Sequence, residues 1–244
     1  MARRRRTADA TPGLAGLWGL SGPQAAQLRR HCHFLSARRG EMIARHGDKL
    51  PGAFALLSGT VKLSLHAHDG EERVLRIVGE RETFGEACTL LGKPSPFDAS
   101  ALGDARLVML PPAAIWTLFR RDTRFARGVV TKLAESVLDM VTELEAATTQ
   151  RSAQRLATYL ESLVRHDVSS GPCTVRLPVS KTVVAARLGV KKETLSRLLL
   201  QFAGEVIIGV TRREIMILDP ERLSEAAQEP PREHAGARGS LAKA

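Results

Sequence analysis

The feature that most constrains the fold is a long helical pattern across residues 124–147. Small or apolar residues recur in alternating steps of four and three, at Ala126, Val130, Leu133, Val137, Met140, Leu144 and Ala147. This spacing is the heptad seam of a coiled coil, so it predicts a second helix from another copy of the chain. We expect the dimer interface to consist of Val130, Leu133, Val137, Met140 and Leu144. An ordinary amphipathic core helix is the alternative, because about three heptads is the minimum for a coiled coil.

A second apolar stripe flanks this seam. Its members are Phe125, Val129, Ala134, Leu138 and Val141. We expect this stripe to pack on the helix's own domain while the seam meets the partner chain. A helix of this length spans roughly 36 Å, enough to connect two domains.

The composition indicates two modest domains and a polyanionic partner. The chain has 244 residues, with 36 Lys and Arg against 26 Asp and Glu and a formal charge of +10. One hydrophobic core usually serves about 100 to 200 residues, so a chain of this length is expected to form two domains. An excess of basic over acidic residues favours nucleic acid as the partner. Residues 1–20, which include a basic run, and residues 224–244 are predicted to be disordered tails.

Several protein classes are disfavoured by what the sequence lacks. No run of about 18 apolar residues exists and the arginine-rich start lacks the apolar core of a signal peptide, so we expect a cytoplasmic protein. Cys32, Cys88 and Cys173 lie far apart, which argues against a disulfide framework or a zinc knuckle and favours reduced thiols. No nucleophile elbow, phosphate loop or zinc-protease motif is present, so we do not expect an enzyme.

Residues 39–112 have the sequence pattern of a small antiparallel β domain. Glycine recurs there between short β-prone runs at residues 42–45, 54–57, 61–65, 73–78 and 105–110. Asp69-Gly70 lies between two runs and is a hairpin signal. With a short entry helix predicted at residues 21–33, we assign residues 21–121 to this domain and residues 122–148 to the dimerisation helix.

Residues 177–198 predict a helix-turn-helix. Two short helices that cross steeply need a small residue at the crossing and a residue that tolerates positive φ in the turn, which Ala185 and Gly189 supply. Val184, Leu188, Val190, Leu195 and Leu198 are expected to face one core. A helix at residues 152–165 precedes this motif, and a hairpin of residues 207–210 and 214–218 follows it. Together they predict a winged helix-turn-helix at residues 149–223.

Several motifs, in order and spacing, resemble the Crp/Fnr family of bacterial transcription regulators. They are Gly40-Glu41, Gly47-Asp48, the run from Phe54 to Lys62, Asp69-Gly70-Glu71-Glu72 and Phe84-Gly85-Glu86. The resemblance implies an α+β fold with an N-terminal β-roll of the cyclic-nucleotide-binding type, a long dimerisation helix and a C-terminal winged helix-turn-helix. It also implies a homodimer, double-stranded DNA as ligand and RNA polymerase as partner. The implied effector pocket contains Phe84, Gly85, Glu86, Met140 and Val141.

The sequence departs from this family at the phosphate-binding position. Family members carry an Arg-Ser or Arg-Thr pair there, whereas this chain reads Lys93-Pro94-Ser95-Pro96-Phe97-Asp98. A buried phosphate without a charged partner loses on the order of 10²- to 10⁴-fold in affinity, which argues against cyclic AMP. Cys32 alone cannot hold the iron-sulfur cluster of other members. Haem remains an open alternative, with candidate ligands His31, Cys32, His33, His66, His68 and Cys88, and the metal content is otherwise left unassigned.

The resemblance also implies which residues contact DNA. We expect the DNA-binding set to be Ser180, Lys181, Lys191, Lys192, Glu193, Thr194, Ser196, Arg197, Arg212 and Arg213. Glu193, Ser196 and Arg197 match the Fnr-type set, whose half-site resembles TTGAT, so a two-fold dimer predicts the inverted repeat TTGAT-N4-ATCAA. The signal that the roll senses is not assigned: the alternatives are nitric oxide bound through haem, a change in redox state, and another molecule. A cyclic-nucleotide-type module that regulates a protein partner is the alternative function.

Overall fold

The computed structural model of the chain describes residues 3, 4, 17, 25, 29, 31–66, 71–164, 171–211 and 214–228. The chain divides into two compact units, Met1–Met140 and Val141–Ala244. Within the described residues, no helix combines the length and the apolar character that crossing a membrane requires.

The first unit is built on two antiparallel β-sheets. Its strands are β1 (Arg3–Arg4), β2 (His33–Ala37), β3 (Met42–Ala44), β4 (Ala53–Ser58), β5 (Val61–His66), β6 (Glu72–Val78), β7 (Thr83–Phe84), β8 (Asp98–Ala101) and β9 (Ala105–Leu110). One sheet has the order β1-β2-β9-β4-β7 and the other β3-β8-β5-β6. The predicted β domain is confirmed, and each predicted run lies within one residue of its strand. Strands β1, β2, β7 and β8 were not predicted.

Strand β9 lies between two apolar layers. Ala105, Leu107 and Met109 join the core that the two sheets share, while Val108 and Leu110 join a second core beneath the helices. Successive side chains of a strand point to opposite faces, so a strand that is covered on both sides needs a continuous apolar run. Residues 107–110, Leu-Val-Met-Leu, meet this requirement, whereas Arg106 near the start of the strand is exposed.

Three helices follow the strands of this unit: α1 (Glu86–Leu91), α2 (Pro112–Arg121) and α3 (Thr123–Thr149). Helices α1 and α2 were not predicted. The chain turns from α2 into α3 at Asp122, whose Oδ1 accepts hydrogen bonds from the backbone N–H groups of Arg124 at 2.9 Å and Phe125 at 3.1 Å. This carboxylate satisfies donors that the first turn of a helix leaves unpaired. The predicted long helix is therefore present, with ends one and two residues beyond the expected ones.

Helix α3 packs on its own unit only along its first turns. Phe125 and Val129 are buried in the second core, with Leu133 packed partly against it. Val130, Val137, Met140 and Leu144 of the predicted seam are 55–66% exposed. Leu138 and Val141 are 68% and 58% exposed. The expectation that the whole flanking stripe packs on its own domain is therefore wrong beyond Val129, since Ala134 is also exposed. The second core reaches only the first turns of the helix, where Leu133 of the predicted seam also packs.

The second unit has the winged helix-turn-helix architecture that was predicted. Its elements after α3 are α4 (Ser152–Leu163), β10 (Cys173–Arg176), α5 (Lys181–Arg187), α6 (Lys192–Gly204), β11 (Ile208–Thr211), β12 (Glu214–Ile217) and α7 (Pro220–Gln228). The sheet order is β10-β12-β11, with antiparallel neighbours. Strand β10 and helix α7 were not predicted. The wing tip, Arg212 and Arg213, lies outside the described residues.

The structure corrects both predicted tails. Arg3 and Arg4 are paired as a strand with Ser36 and Leu35, so part of residues 1–20 belongs to a sheet. At the other end, α7 extends the folded unit to Gln228 and buries Leu223 and Ala227, where a disordered tail from residue 224 was expected. The amphipathic spacing of these buried residues explains why they form a helix. Residues 229–244 lie outside the described part of the chain.

Other predicted elements are only partly described. Within residues 21–33 the backbone N–H of Arg29 donates to the carbonyl of Ala25 at 3.1 Å, whereas His33 belongs to strand β2. Asp69, Gly70 and His68 lie outside the described residues, although the strands they connect are paired as predicted. Helix α4 is capped at Arg151, whose backbone N–H donates to Gln154 Oε1 at 2.8 Å, and not at Ser152.

Helix α6 ends in an arrangement that normally requires glycine. The backbone N–H of Val206 donates to the carbonyl of Ala203 at 3.1 Å, and that of Ile207 donates to Phe202 at 3.0 Å. These two bonds define a Schellman motif, whose left-handed residue is usually glycine. Here it is Val206, with φ of 59° and a side chain that is 63% exposed. A β-branched residue is strained in this region, and its exposed side chain offers little packing in return.

We expect Val206→Gly to raise the free energy of unfolding by about 1 kcal/mol, because glycine adopts the left-handed conformation without steric cost. Thermal unfolding followed by circular dichroism measures this. Val206→Ala is the matched control: it removes the same exposed side chain and keeps a Cβ at positive φ, so a clearly smaller gain is expected. A Val206→Gly protein that melts below the wild type contradicts this account.

Candidate nucleic-acid interface and sensor site

Helices α5 and α6 form a tight pair held by a glycine turn. Ser180 Oγ accepts a hydrogen bond from the backbone N–H of Val183 and caps α5, so this predicted DNA-binding residue also has a structural role. Gly189, at φ of 64°, reverses the chain, and the N–H of Val190 donates to the carbonyl of Ala185 at 3.0 Å. The left-handed backbone at Gly189 is the conformation that the sequence predicted.

The core beneath these helices differs slightly from the predicted set. Val184, Ala185, Leu188 and Leu195 are buried as expected. Val190 and Leu198 are only half-buried. Leu199 and Phe202, 4% and 2% exposed, take the inner positions of α6. The inner face of α6 is therefore rotated by about one residue from the predicted one, since each helical residue turns by about 100°.

The outer face of α6 carries the residues predicted to read bases. Lys192, Glu193, Ser196 and Arg197 are exposed. At about 100° per residue, Glu193, Ser196 and Arg197 fall within an arc of about 100° on one side of the helix. Within the described part of the chain, neither Lys192 nor Arg197 has an ion-pair partner. This face can therefore offer a guanidinium, a carboxylate and a hydroxyl to an external ligand.

The other predicted DNA-binding residues surround this face. Lys191 is exposed at the N-cap of α6, and Thr194 is half-buried in its first turn. Lys181 is half-buried at the start of α5.

Sequence reasoning missed two arginines that brace the helix pair. Arg155 of α4 donates from Nε to the carbonyl of Leu188 at 3.0 Å and from Nη1 to the carbonyl of Gln150 at 2.6 Å. Arg187, at the end of α5, donates to Glu143 Oε1 at 2.7 Å. The guanidinium of Arg155 thus bonds to the carbonyl of Gln150, which follows α3, and to the carbonyl of Leu188, which ends α5. These bonds hold α5 relative to the end of α3 within this unit. Neither arginine belongs to a recognisable motif, so no sequence signal could have revealed this.

In the first unit, the predicted pocket residues lie at the turn from β7 into α1. Phe84 stacks on Phe54 with ring centroids 5.0 Å apart. Gly85 has φ of 84°, a left-handed conformation that favours glycine, and a Cβ there would lie 2.9 Å from Leu50 Cδ1, so the leucine side chain would have to shift. Glu86 begins α1 and is only 8% exposed. Their role in an effector pocket stays a prediction.

Glu86 also lines a small apolar cavity on the helical side of the sheet. The other lining residues are Ala53, Leu90, Leu110, Ile115, Phe125 and Val129. The hydroxyls of Thr83 and Thr89, on either side of the Phe84–Glu86 turn, are buried without a hydrogen-bond partner. Sequence reasoning assigned no role to either threonine.

The loop after α1 presents an aromatic ring and a carboxylate. Phe97 meets Phe84 edge to face at 6.5 Å between ring centroids. Asp98 accepts a hydrogen bond from the backbone N–H of His46 at 2.8 Å and lies 2.9 Å from His66 Nδ1. Ser95 Oγ donates to the carbonyl of Phe97 at 2.7 Å. These contacts hold a negative charge at this edge of the roll.

Comparison with known proteins matches both units. The cyclic nucleotide-binding domain family matches residues 34–122, and the Crp-like helix-turn-helix domain family matches residues 154–226. The CRP-like cAMP-activated global transcriptional regulator of Mycobacterium tuberculosis is 25% identical over 226 residues, covering 88% of this chain and 97% of that protein. The chain belongs to the Crp/Fnr family of transcription regulators.

Further comparisons cover most of this chain. The fumarate and nitrate reduction regulatory protein of Vibrio cholerae is 24% identical over 194 residues, covering 78% of this chain and 76% of that protein. A solved structure of a CRP/FNR-family regulator from Thermus thermophilus has a TM-score of 0.64 and 25% identity, covering 81% of this chain and 99% of that one. FixK2 from Bradyrhizobium japonicum has the same fold, with a TM-score of 0.70 and 21% identity over 80% of this chain and 96% of that one.

The loop at residues 93–98, where the Crp/Fnr pattern has a phosphate-binding arginine, carries a carboxylate and no arginine in this chain. The stretch from Lys93 to Asp98 stands where the resemblance places the Arg-Ser pair; it contains no arginine, ends in the carboxylate of Asp98, and has Lys93 exposed at its other end. A carboxylate repels a phosphodiester, and a phenyl ring offers it no hydrogen bond. Met140 and Val141, expected to complete the pocket, are 62% and 58% exposed, so their part in it stays a prediction.

The candidate haem ligands are dispersed. Among the described residues, no three of the His, Cys, Asp and Glu side chains converge on a metal position. Burial raises the pKa of the Cys32 thiol to about 12 and also raises the pKa of Cys88, and only a thiolate is a strong iron ligand. His66 is engaged with Asp98, His31 is exposed and His33 is half-buried in β2. His68 lies outside the described residues. Haem needs only one or two axial ligands, so haem binding stays a prediction.

We expect the wild-type protein to show no binding of cyclic AMP in isothermal titration calorimetry, because Asp98 opposes the phosphate and no arginine pairs with it. The matched variant Phe97→Arg/Asp98→Ser restores the charge and the donor that the family uses, and a gain of binding is expected from it. An unpaired buried phosphate costs on the order of 10²- to 10⁴-fold in affinity. Micromolar binding of cyclic AMP to the wild type contradicts this reading of the loop.

Proposed function

We propose that this Crp/Fnr regulator binds DNA as a homodimer at an inverted repeat resembling TTGAT-N4-ATCAA. The observation that carries the proposal is the outer face of α6, where Glu193, Ser196 and Arg197 are exposed together. A helix of this size fits the major groove, whose base edges present a distinct donor and acceptor pattern for each base pair.

The chemistry of the three side chains supports a G·C pair within the half-site. Arg197 can donate two hydrogen bonds to guanine O6 and N7, and Glu193 can accept from a cytosine amino group. Ser196 is able to donate or accept and adds a neighbouring contact. This Glu, Ser and Arg set resembles the Fnr-type set, which is the basis for TTGAT rather than TGTGA.

The exposed seam of α3 supports the dimer. Val130, Val137, Met140 and Leu144 form an apolar row that is more than half exposed. Such a row at heptad spacing on a helix of 27 residues is stabilised when a second copy covers it. Two-fold symmetry of the protein then requires an inverted repeat with half-sites one helical turn apart.

We propose that the β-roll senses a signal other than cyclic AMP and that RNA polymerase is the protein partner of the DNA-bound dimer. The carboxylate of Asp98 supports the first part, and the family resemblance supports the second. Haem, nitric oxide and redox signals stay alternatives from the sequence. An optical spectrum of anaerobically purified protein tests haem directly, because bound haem gives a Soret band.

Selection of bound sites from random DNA by the purified full chain tests the function. Enrichment of TTGAT half-sites in inverted repeats is the expected result. Enrichment of TGTGA half-sites shows that the base code is wrong, and absence of any enriched site favours the alternative of a module that regulates a protein partner.

Arg197→Ala is expected to weaken binding to the selected site by about 1–3 kcal/mol and to flatten the preference at the guanine, because a bidentate contact is lost. Fluorescence anisotropy with site variants measures both effects. Arg212→Ala is the control: as a predicted phosphate contact it should weaken all sequences alike and reduce the salt dependence. A guanine preference that survives Arg197→Ala excludes this residue as the reader.

Val137→Asp is expected to give monomers in analytical ultracentrifugation, because two carboxylates would face each other at the centre of the seam. Thr131→Asp places the same charge on an exposed position outside the seam and should leave the dimer intact. Wild-type dimer strength in the Val137→Asp protein means that the interface lies elsewhere.

A further inference from the structure

Helix α6 carries one large apolar side chain that lies outside the core of its unit. Leu200 is 73% exposed, the highest value among the large exposed apolar residues of the described chain. Its neighbours Leu199 and Phe202, in contrast, are 4% and 2% exposed. A leucine left in solvent at this position contributes nothing to the core, so its role depends on what meets the outer face of α6.

The position of Leu200 on the helix is central to the proposed reading face. At about 100° per residue, Leu200 is only about 20° from Glu193 and falls between Ser196 and Arg197 around the helix axis. It lies one turn further along, about 4.5 Å from Arg197 at a rise of 1.5 Å per residue. The inner residues Leu195 and Phe202 point to the opposite side.

We infer that Leu200 reads the C5-methyl group of a thymine, an inference that rests on the proposed docking of α6 in the major groove. Thymine is the base that presents a methyl group in that groove, while the other base edges there present donors and acceptors. An axial offset of about 4.5 Å exceeds the spacing of about 3.4 Å between successive bases. The thymine therefore lies one or two base pairs from the guanine that Arg197 contacts.

The surroundings of Leu200 favour DNA over an apolar protein surface as the occupant. Lys192 and Arg197 are exposed on the same helix, and within the described residues neither has an ion-pair partner. At an apolar interface Arg197, within one turn of Leu200, and Lys192, about 12 Å further along the helix, would both be desolvated, which is costly. In a groove they meet phosphates and guanine, and the leucine meets the methyl group.

Replacement of thymine by deoxyuracil tests this contact, because it removes only the methyl group. Duplexes carrying the selected site, with each thymine of a half-site replaced in turn, are titrated with wild type and with Leu200→Ala by fluorescence anisotropy. At one position the wild type is expected to lose about three- to fourfold in affinity, the value of one buried methyl group. Leu200→Ala is expected to bind the thymine and deoxyuracil duplexes equally.

Two further measurements keep the outcomes distinct. Arg197→Ala, although weaker overall, should keep the loss at the same deoxyuracil position, since it leaves Leu200 in place. Leu200→Ala should melt at the wild-type temperature, because the removed side chain is exposed.

If no deoxyuracil duplex weakens the binding of the wild type, or if the loss persists in Leu200→Ala, the contact is excluded while the proposed function stands. If the wild type shows no sequence preference on unmodified DNA, the proposed function and this contact fall together.

Discussion

The structure of the first unit depends on the burial of strand β9 on both faces. Leu107 and Met109 fill the space between the two sheets, while Val108 and Leu110 support the helices on the other side. A polar residue at any of these positions would lose its hydration without gaining a partner. This strand therefore joins the roll to the start of α3, since Phe125 and Val129 pack in the same cluster as Leu110.

In the first unit, the Phe84-Gly85-Glu86 turn matches the Crp/Fnr pattern, whereas the loop at residues 93–98 departs from it. Gly85 adopts a left-handed backbone conformation close to Leu50, and Glu86 after it is buried at the start of α1. The following loop ends in Asp98, which the His46 amide and the His66 ring hold in place. The first unit therefore has a buried carboxylate at the start of α1 and a second, hydrogen-bonded carboxylate at the end of the loop that follows α1.

In the second unit, the buried side and the proposed DNA-reading side of α6 lie opposite each other on the same helix. The inner side of α6 is fixed by Leu195, Leu199 and Phe202, and Arg155 links the end of α5 to Gln150. With its inner side buried in this way, α6 exposes Glu193, Ser196 and Arg197 on its outer side. A Schellman motif with a strained Val206 ends this helix.

The sequence by itself determined the architecture, because heptad spacing, β-prone runs and the Ala185 to Gly189 turn are local patterns that report which faces must be buried. It also determined the grouping of Phe84, Gly85 and Glu86, and of Glu193, Ser196 and Arg197, since each set is short-range. Only the tertiary structure decided that α3 is covered by its own unit for its first turns alone, that Asp98 lies beside His66, and that Arg155 reaches Leu188. These contacts join residues more than ten positions apart with no periodic signal, so their geometry depends on how the sheets and helices pack.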